Sequence, residues 1–150
     1  MLTRSRVCMS VCTRCRPPDF AGPDNERPGY QLAGSLLRRA RDETTRPFTL
    51  TTRGVRCMSQ CKRPCVIALS APAKFTLVFG DLDPQADTDA VMALTRQYAE
   101  STDGLVLRAD RPAPLRSGIL GRIPPLGYAG EAIDESIVFD PHALNQEELS

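Results

Sequence analysis

Six cysteines stand in two tight groups within the first 65 residues. Cys8, Cys12 and Cys15 form the first, and Cys57, Cys61 and Cys65 form the second. A C-x2-C or C-x3-C segment in a tight loop can turn two sulfurs toward one point, and two such loops close a four-sulfur site. Zinc accepts four thiolates at ~2.3 Å, and iron–sulfur clusters are also commonly held by four cysteines. The spacing therefore points to metal without separating the two. Zinc ribbons usually repeat C-x2-C, whereas the second group here is C-x3-C with another x3-C behind it.

Other uses of the thiols compete with this one. Some could be small buried hydrophobes, but the residues around them are polar and proline-bearing. A thioredoxin-type dithiol at Cys12 and Cys15 leaves Cys57 and Cys61 unexplained. The first group also reads as C-x3-C-x2-C, the spacing of a 4Fe–4S site in radical S-adenosylmethionine enzymes. Those need a large partial barrel that 150 residues cannot build, so Cys8 reads as an incidental strand residue. Lys62, Arg63, Arg14 and Arg16 flank the thiols. They either offset thiolate charge or form a solvated basic face. Met9 and Met58 read as packing residues beside the site.

The remaining composition narrows the chemistry. There is no Trp, and the single histidine, His142, lies near an acidic end. Histidine-based catalysis has almost nothing to work with, and the chain reads as a non-enzyme. Asp81, Asp83, Asp87 and Asp89 lack the glycine and terminal glutamate of an EF-hand and read as helix-start charge. Net charge is +1 but unevenly spread. Residues 1–65 carry +8, residues 66–122 carry −1 and residues 123–150 carry −6. A basic front and acidic tail suit an anionic partner or a tail lying over its own basic face. The basic block lacks interleaved aromatics and matches no nucleic-acid motif. No apolar run reaches the ~18 residues of a membrane span. The start has no apolar stretch behind its positive charge, so a secretory signal is not expected. With clustered thiols this points to a reducing, cytoplasmic setting.

The elements that must position the thiols follow from periodicity. Residues 5–12 read as a first strand ending at the first cysteine loop. Pro17 to Gly29 reads as loop. Residues 30–43, with Leu32, Leu36, Leu37 and Ala40, have helical spacing. Residues 47–56 read as a second strand that delivers Cys57. Two apolar runs after Cys65 read as a hairpin. A second helix is expected over about 85–100, and Leu105–Leu107 as a short extra strand. From Arg111 the chain is expected to run extended, with residues 129–150 an acidic, disordered or partly helical tail. One domain over 1–128 and a tail over 129–150 result. Strand–helix–strand demands a right-handed crossover and a parallel pair. The hairpin adds antiparallel strands. The expected fold class is α/β: a thioredoxin-like mixed sheet with two main helices and an extended C-terminal tail. Both cysteine groups then follow the C-terminal ends of neighbouring strands, where such sheets bind ligands.

The segments Val11–Cys15, Cys57–Cys61, Cys65–Leu69, Lys74–Thr76, Phe79–Leu82, Asp103–Val106, Arg111–Pro112 and Arg122–Pro125 carry a family resemblance. Together they resemble a bacterial family of predicted metal-binding proteins, whose domain is called domain of unknown function 1636, over about residues 7–126. That family in turn is similar to the thioredoxin-like 2Fe–2S ferredoxins, in which two cysteines follow the first strand and a C-x3-C pair follows the second. Carried over by position, the resemblance implies Cys12, Cys15, Cys57 and Cys61 as cluster ligands. Those ferredoxins space the first pair more widely. Cys65 matches the family motif and could replace a ligand or sit behind one, whereas Cys8 does not match. The resemblance also implies genomic association with cobalamin and cobalt-transport functions.

The expectation is a metal-binding protein: a 2Fe–2S electron carrier acting with a protein redox partner and touching neither nucleic acid nor membrane. The alternatives are a zinc- or cobalt-binding structural or metal-handling protein linked to cobalamin metabolism, and a CxxC thiol oxidoreductase. The sequence leaves monomer and homodimer both open.

Overall fold

Val7, Met9 and Val11 alternate with Arg6, Cys8 and Ser10 along the first strand, β1 (Ser5–Cys12). The apolar set is almost wholly buried. This period of two assigns one face of the strand to the core. The computed structural model describes residues 4–43 and 45–142. After β1 come α1 (Pro28–Asp42), β2 (Phe48–Val55), β3 (Ile67–Ser70), β4 (Thr76–Phe79), α2 (Thr88–Glu100) and β5 (Ile119–Ile123).

The strands form one sheet in the order β2-β1-β3-β4-β5. β1 and β2 run parallel, with Cys12 opposite Val55. The other pairings are antiparallel. Both helices pack on β1 and on each other, so they share one face of the sheet. Leu32 and Leu36 of α1 and Val91, Leu94 and Tyr98 of α2 are buried there. Truncating a fully buried leucine such as Leu36 to alanine costs about 2–5 kcal/mol in cores of this kind. Cys8 pairs with Thr51 and Ser70 on the opposite face.

Helix α1 begins two residues before the expected Tyr30, because Pro28 occupies its first turn, where a missing N–H costs nothing. Its last turn carries Arg39 and Arg41, favourable at the negative end of the helix dipole. Ahead of α2, the Asp83 carboxylate accepts from the amides of Gln85 and Ala86 at 2.9 and 2.7 Å. These bonds hold its pKa below the ordinary value. Asp89 accepts from Arg39. Two of the four acidic residues thus serve the helix start and a helix–helix tie.

The sequence segments Lys74–Phe75 and Asp103–Gly104 lock the far end of α2. The Lys74 ammonium donates to the carbonyls of Tyr98 and Ala99 at 3.1 and 2.8 Å, capping two carbonyls the helix leaves open. Phe75 N donates to Asp103 O at 2.7 Å. Gly104 adopts φ +84°, and an added Cβ would lie 2.8 Å from the Phe75 carbonyl and the Tyr98 ring.

Two expectations are corrected. Leu105–Leu107 is not a strand, because the outer edge of β4 is taken by β5. The Val106 carbonyl instead accepts from Arg111. The stretch after Arg111 is not simply extended. It holds a 3-10 turn at Ala113–Leu115 and then β5. β5 was missed because it is short, contains Gly121 and lies between Gly118 and Pro124. The tail expectation over 129–150 falls partly outside the described residues. In its described part, residues 129–142, no strand forms.

Candidate metal centre

β1 and β2 end side by side, and each end opens into a cysteine loop. The Cys12 amide donates to Val66 O at 3.0 Å, and the Thr13 amide donates to Val55 O at 2.8 Å. These bonds pin the exit of β1 between β2 and β3. The chain then turns beneath the start of α1, where Gly29 N donates to Cys15 O at 3.0 Å. A Cβ on Gly29 would lie 2.3 Å from the Cys12 carbonyl and 2.9 Å from Cys15 Cβ. Only a residue without a side chain lets the helix approach this closely.

The outer part of the loop is held by ion pairs. Asp24 accepts from Arg14 at 2.6 Å and from Arg27 at 2.9 Å. Arg63 pairs with Asp81 at 2.5 Å, and Arg16 donates to Phe20 O at 3.0 Å. Arg14 and Arg63 are therefore neutralised by carboxylates rather than aimed at thiols.

Cys12, Cys15 and Cys65 come together. They are 3%, 2% and 2% exposed. Cys12 and Cys65 lie near enough to Cys15 to influence its titration, and Cys12 does the same to Cys65. Cys65 arrives from the segment before β3, held by a Leu82 N to Cys65 O bond of 3.2 Å. Burial raises the Cys15 thiol pKa strongly, and Cys12 and Cys65 add to the rise. A bond from the Val66 backbone opposes it. Burial likewise pushes Cys65 up to about 12, with Cys12 and Asp83 contributing. The Cys15 and Cys65 thiols stay protonated unless a positive centre displaces the protons.

Cys57 and Cys61 lie in the loop after β2 and are exposed. The Ser59 amide donates to Cys57 Sγ at 3.4 Å. Among the described residues, no three His, Cys, Asp or Glu side chains converge closely enough to hold a metal ion. The structure buries Cys12, Cys15 and Cys65, and leaves Cys57 and Cys61 at the surface. Cys8 is half-buried on the helix-free face, with Sγ 4.0 Å from Ser10 Oγ. Met9 is core, and Met58 packs against it. His142 is exposed.

The donor chemistry fits a soft metal or iron–sulfur centre, since five thiols stand in or beside one pair of strand-end loops. Backbone N–H groups aimed at sulfur, as at Cys57, are a feature that tunes iron–sulfur centres. Sequence reasoning missed Gly29 and the proximity of Asp83 to Cys65. The Pro-Gly pair at a helix start was the available signal for Gly29.

A family model described as "Protein of unknown function (DUF1636)" matches residues 9–125. The chain belongs to this family. No curated protein matches the sequence. Among solved structures, the chain is similar to a thioredoxin-like 2Fe–2S ferredoxin from Aquifex aeolicus. The TM-score is 0.52 at 16% identity, covering 82% of this chain and 97% of that one. A cysteine-to-serine variant of that ferredoxin gives a TM-score of 0.50 at 15% identity, covering 77% of this chain and 98% of the other. At these identities the likeness establishes a shared thioredoxin-like fold. Among the described residues, no helix is long and apolar enough to cross a membrane.

Proposed function

We propose that this DUF1636 protein is a metal-binding electron carrier holding a 2Fe–2S cluster. Four of the five thiols Cys12, Cys15, Cys57, Cys61 and Cys65 would be its ligands. The first-choice pairs are Cys12 with Cys15 and Cys57 with Cys61. The observation that carries the reading is the parallel pairing of β1 and β2, which brings two cysteine loops to one end of the sheet. The fold shared with a protein described as a 2Fe–2S ferredoxin supports it.

When bound, such a cluster supplies one-electron redox chemistry. The chain's own residues bind, shield and tune. Cys12, Cys15 and Cys65 offer sulfur from a dry interior, while the Cys57–Cys61 loop faces solvent, where a partner protein can approach. Exposed Lys62 in that loop suits an acidic docking surface. No acid, base or nucleophile is required.

The thiol oxidoreductase reading is weaker. A reactive dithiol needs access and a lowered pKa, whereas Cys12 and Cys15 are buried and the pKa of Cys15 is raised.

The test is anaerobic purification or reconstitution with iron and sulfide, followed by metal and acid-labile sulfide counts. About two irons and two sulfides per chain, with a visible spectrum bleached by reductant, are expected. Serine at each of the five cysteines in turn should abolish the cluster at four positions and spare it at the fifth, and Cys8→Ser should spare it too. About one zinc per chain without sulfide overturns the iron–sulfur reading and assigns the thiols to zinc.

A further inference from the structure

Arg111 and Arg122 belong to sequence segments that the thiol centre does not use. Arg111 is 8% exposed, the most buried cation of the described chain. Its Nε donates to Val106 O at 3.1 Å, and its Nη1 donates to Leu115 O at 3.1 Å and to Arg116 O at 3.4 Å. The guanidinium lies 5.7 Å above the centre of the Phe79 ring. These contacts fix the side chain and satisfy donors, but carbonyl dipoles and a ring face do not neutralise a full charge. Buried charges are ordinarily paired.

Arg111 has the opposite of a counterion. Burial holds its pKa below the ordinary arginine value, and the charges of Arg108 and Arg122 lower it further. None of Arg108, Arg111, Arg116 and Arg122 makes an ion pair among the described residues. Asp110, between the first two in sequence, pairs with neither. Arg14, Arg27, Arg39, Arg46, Arg63 and Arg96 reach carboxylates; other arginines without an ion pair are not buried as Arg111 is.

The two arginines line one cavity of about 380 Å³, with Ile119, Leu120 and Gly121 as its other walls and no acidic residue. β5 is the outer strand of the sheet, so one of its edges carries unpaired backbone groups. A Cβ built on Gly121 meets nothing within 4 Å, so the wall there is open backbone. Two guanidinium groups around a small carboxylate-free cavity are the chemistry that recognises a doubly charged oxyanion.

We propose that the cavity between Arg111 and β5 binds a phosphate group, clamped by the guanidinium groups of Arg111 and Arg122. No cysteine lines the cavity, so the proposal stands whether or not the metal reading does.

The experiment is calorimetric titration of the full chain with inorganic phosphate, and separately with glycerol 3-phosphate, at ionic strength held constant with chloride. Saturable one-to-one binding of at least one of them is expected. Tighter binding of the ester points to a phosphorylated metabolite, and tighter or equal binding of the inorganic ion points to free phosphate. Arg122→Gln removes an exposed cation, so it should leave the unfolding temperature in chloride unchanged and weaken binding roughly tenfold or more. Arg122→Glu puts a carboxylate in place of that exposed cation and should abolish binding. Absence of saturable binding by both probes up to about 10 mM, well above an ordinary millimolar Kd, overturns the proposal. So does binding that both variants leave intact.

Discussion

The amide of Gly29 donates to the carbonyl of Cys15 at 3.0 Å, and the bare Cα of Gly29 rests against the Cys15 side chain. This contact seats the first turn of α1 on the cysteine loop. It couples the fold to the thiols more directly than any side-chain bond at the site.

Gly29→Ala forces a methyl to 2.3 Å from the Cys12 carbonyl. Overpacking of this kind costs typically 1–3 kcal/mol, and backbone on both sides leaves little room to relax. Gly34→Ala, in the same helix, meets only Arg38 Nη1 at 3.5 Å and should stabilise by about 0.5–1 kcal/mol. Denaturant unfolding of the two variants reads this opposition. Equal effects of the two substitutions refute the role assigned to Gly29.

Burial sorts the thiols. In metal-free, reduced protein, iodoacetamide should label Cys57 and Cys61 first, with Cys12, Cys15 and Cys65 modified only on unfolding. Mass spectrometry of timed digests gives the order. Early labelling of Cys15 or Cys65 contradicts the buried arrangement.

Glu43 ends the region of α1 and ties it to α2. Its carboxylate lies 2.9 Å from Arg39, 2.6 Å from Arg96 and 3.8 Å from Arg46. The Arg39 bond, with Arg96 assisting, holds its pKa below the ordinary 4.5 against an opposing desolvation effect. A lowered folded-state value means the stabilisation is present above the unfolded value and disappears as pH falls through the folded one. Glu43→Gln should cost ~1 kcal/mol at pH 7 and flatten the acid limb of stability against pH below about 4.5. An unchanged acid limb rules out this coupling.

Tyr98 is fully buried, and its hydroxyl donates to Phe75 O at 2.6 Å. Burial raises its pKa well above the ordinary 10.0. The neutral form is favoured in the fold, so its contribution is present below pH 10 and lost as pH rises further. Tyr98→Phe should lower stability by about 1 kcal/mol at neutral pH while removing this alkaline loss. Ultraviolet titration should show one tyrosine ionising only with unfolding.

The strand–helix–strand opening was legible because its periods are clean. Val7, Met9 and Val11 alternate, and Leu32 and Leu36 are spaced four apart. The hairpin was legible from two apolar runs about a short turn. Leu105–Leu107 misled because three apolar residues look alike whether or not a sheet edge is free to receive them. β5 was hidden because its pairing with β4 is long-range and its own residues are weak strand formers.

The sequence by itself determined the thioredoxin-like order of elements and the location of both cysteine loops at strand ends. Local periodicity and loop chemistry act within a few residues, and those are written in the chain. Only the tertiary structure decided that Cys12, Cys15 and Cys65 are buried while Cys57 and Cys61 face solvent. It also decided that Arg111 and Arg122 share a cavity. Burial and electrostatic company depend on which distant segments pack together, and spacing along a chain carries no record of that.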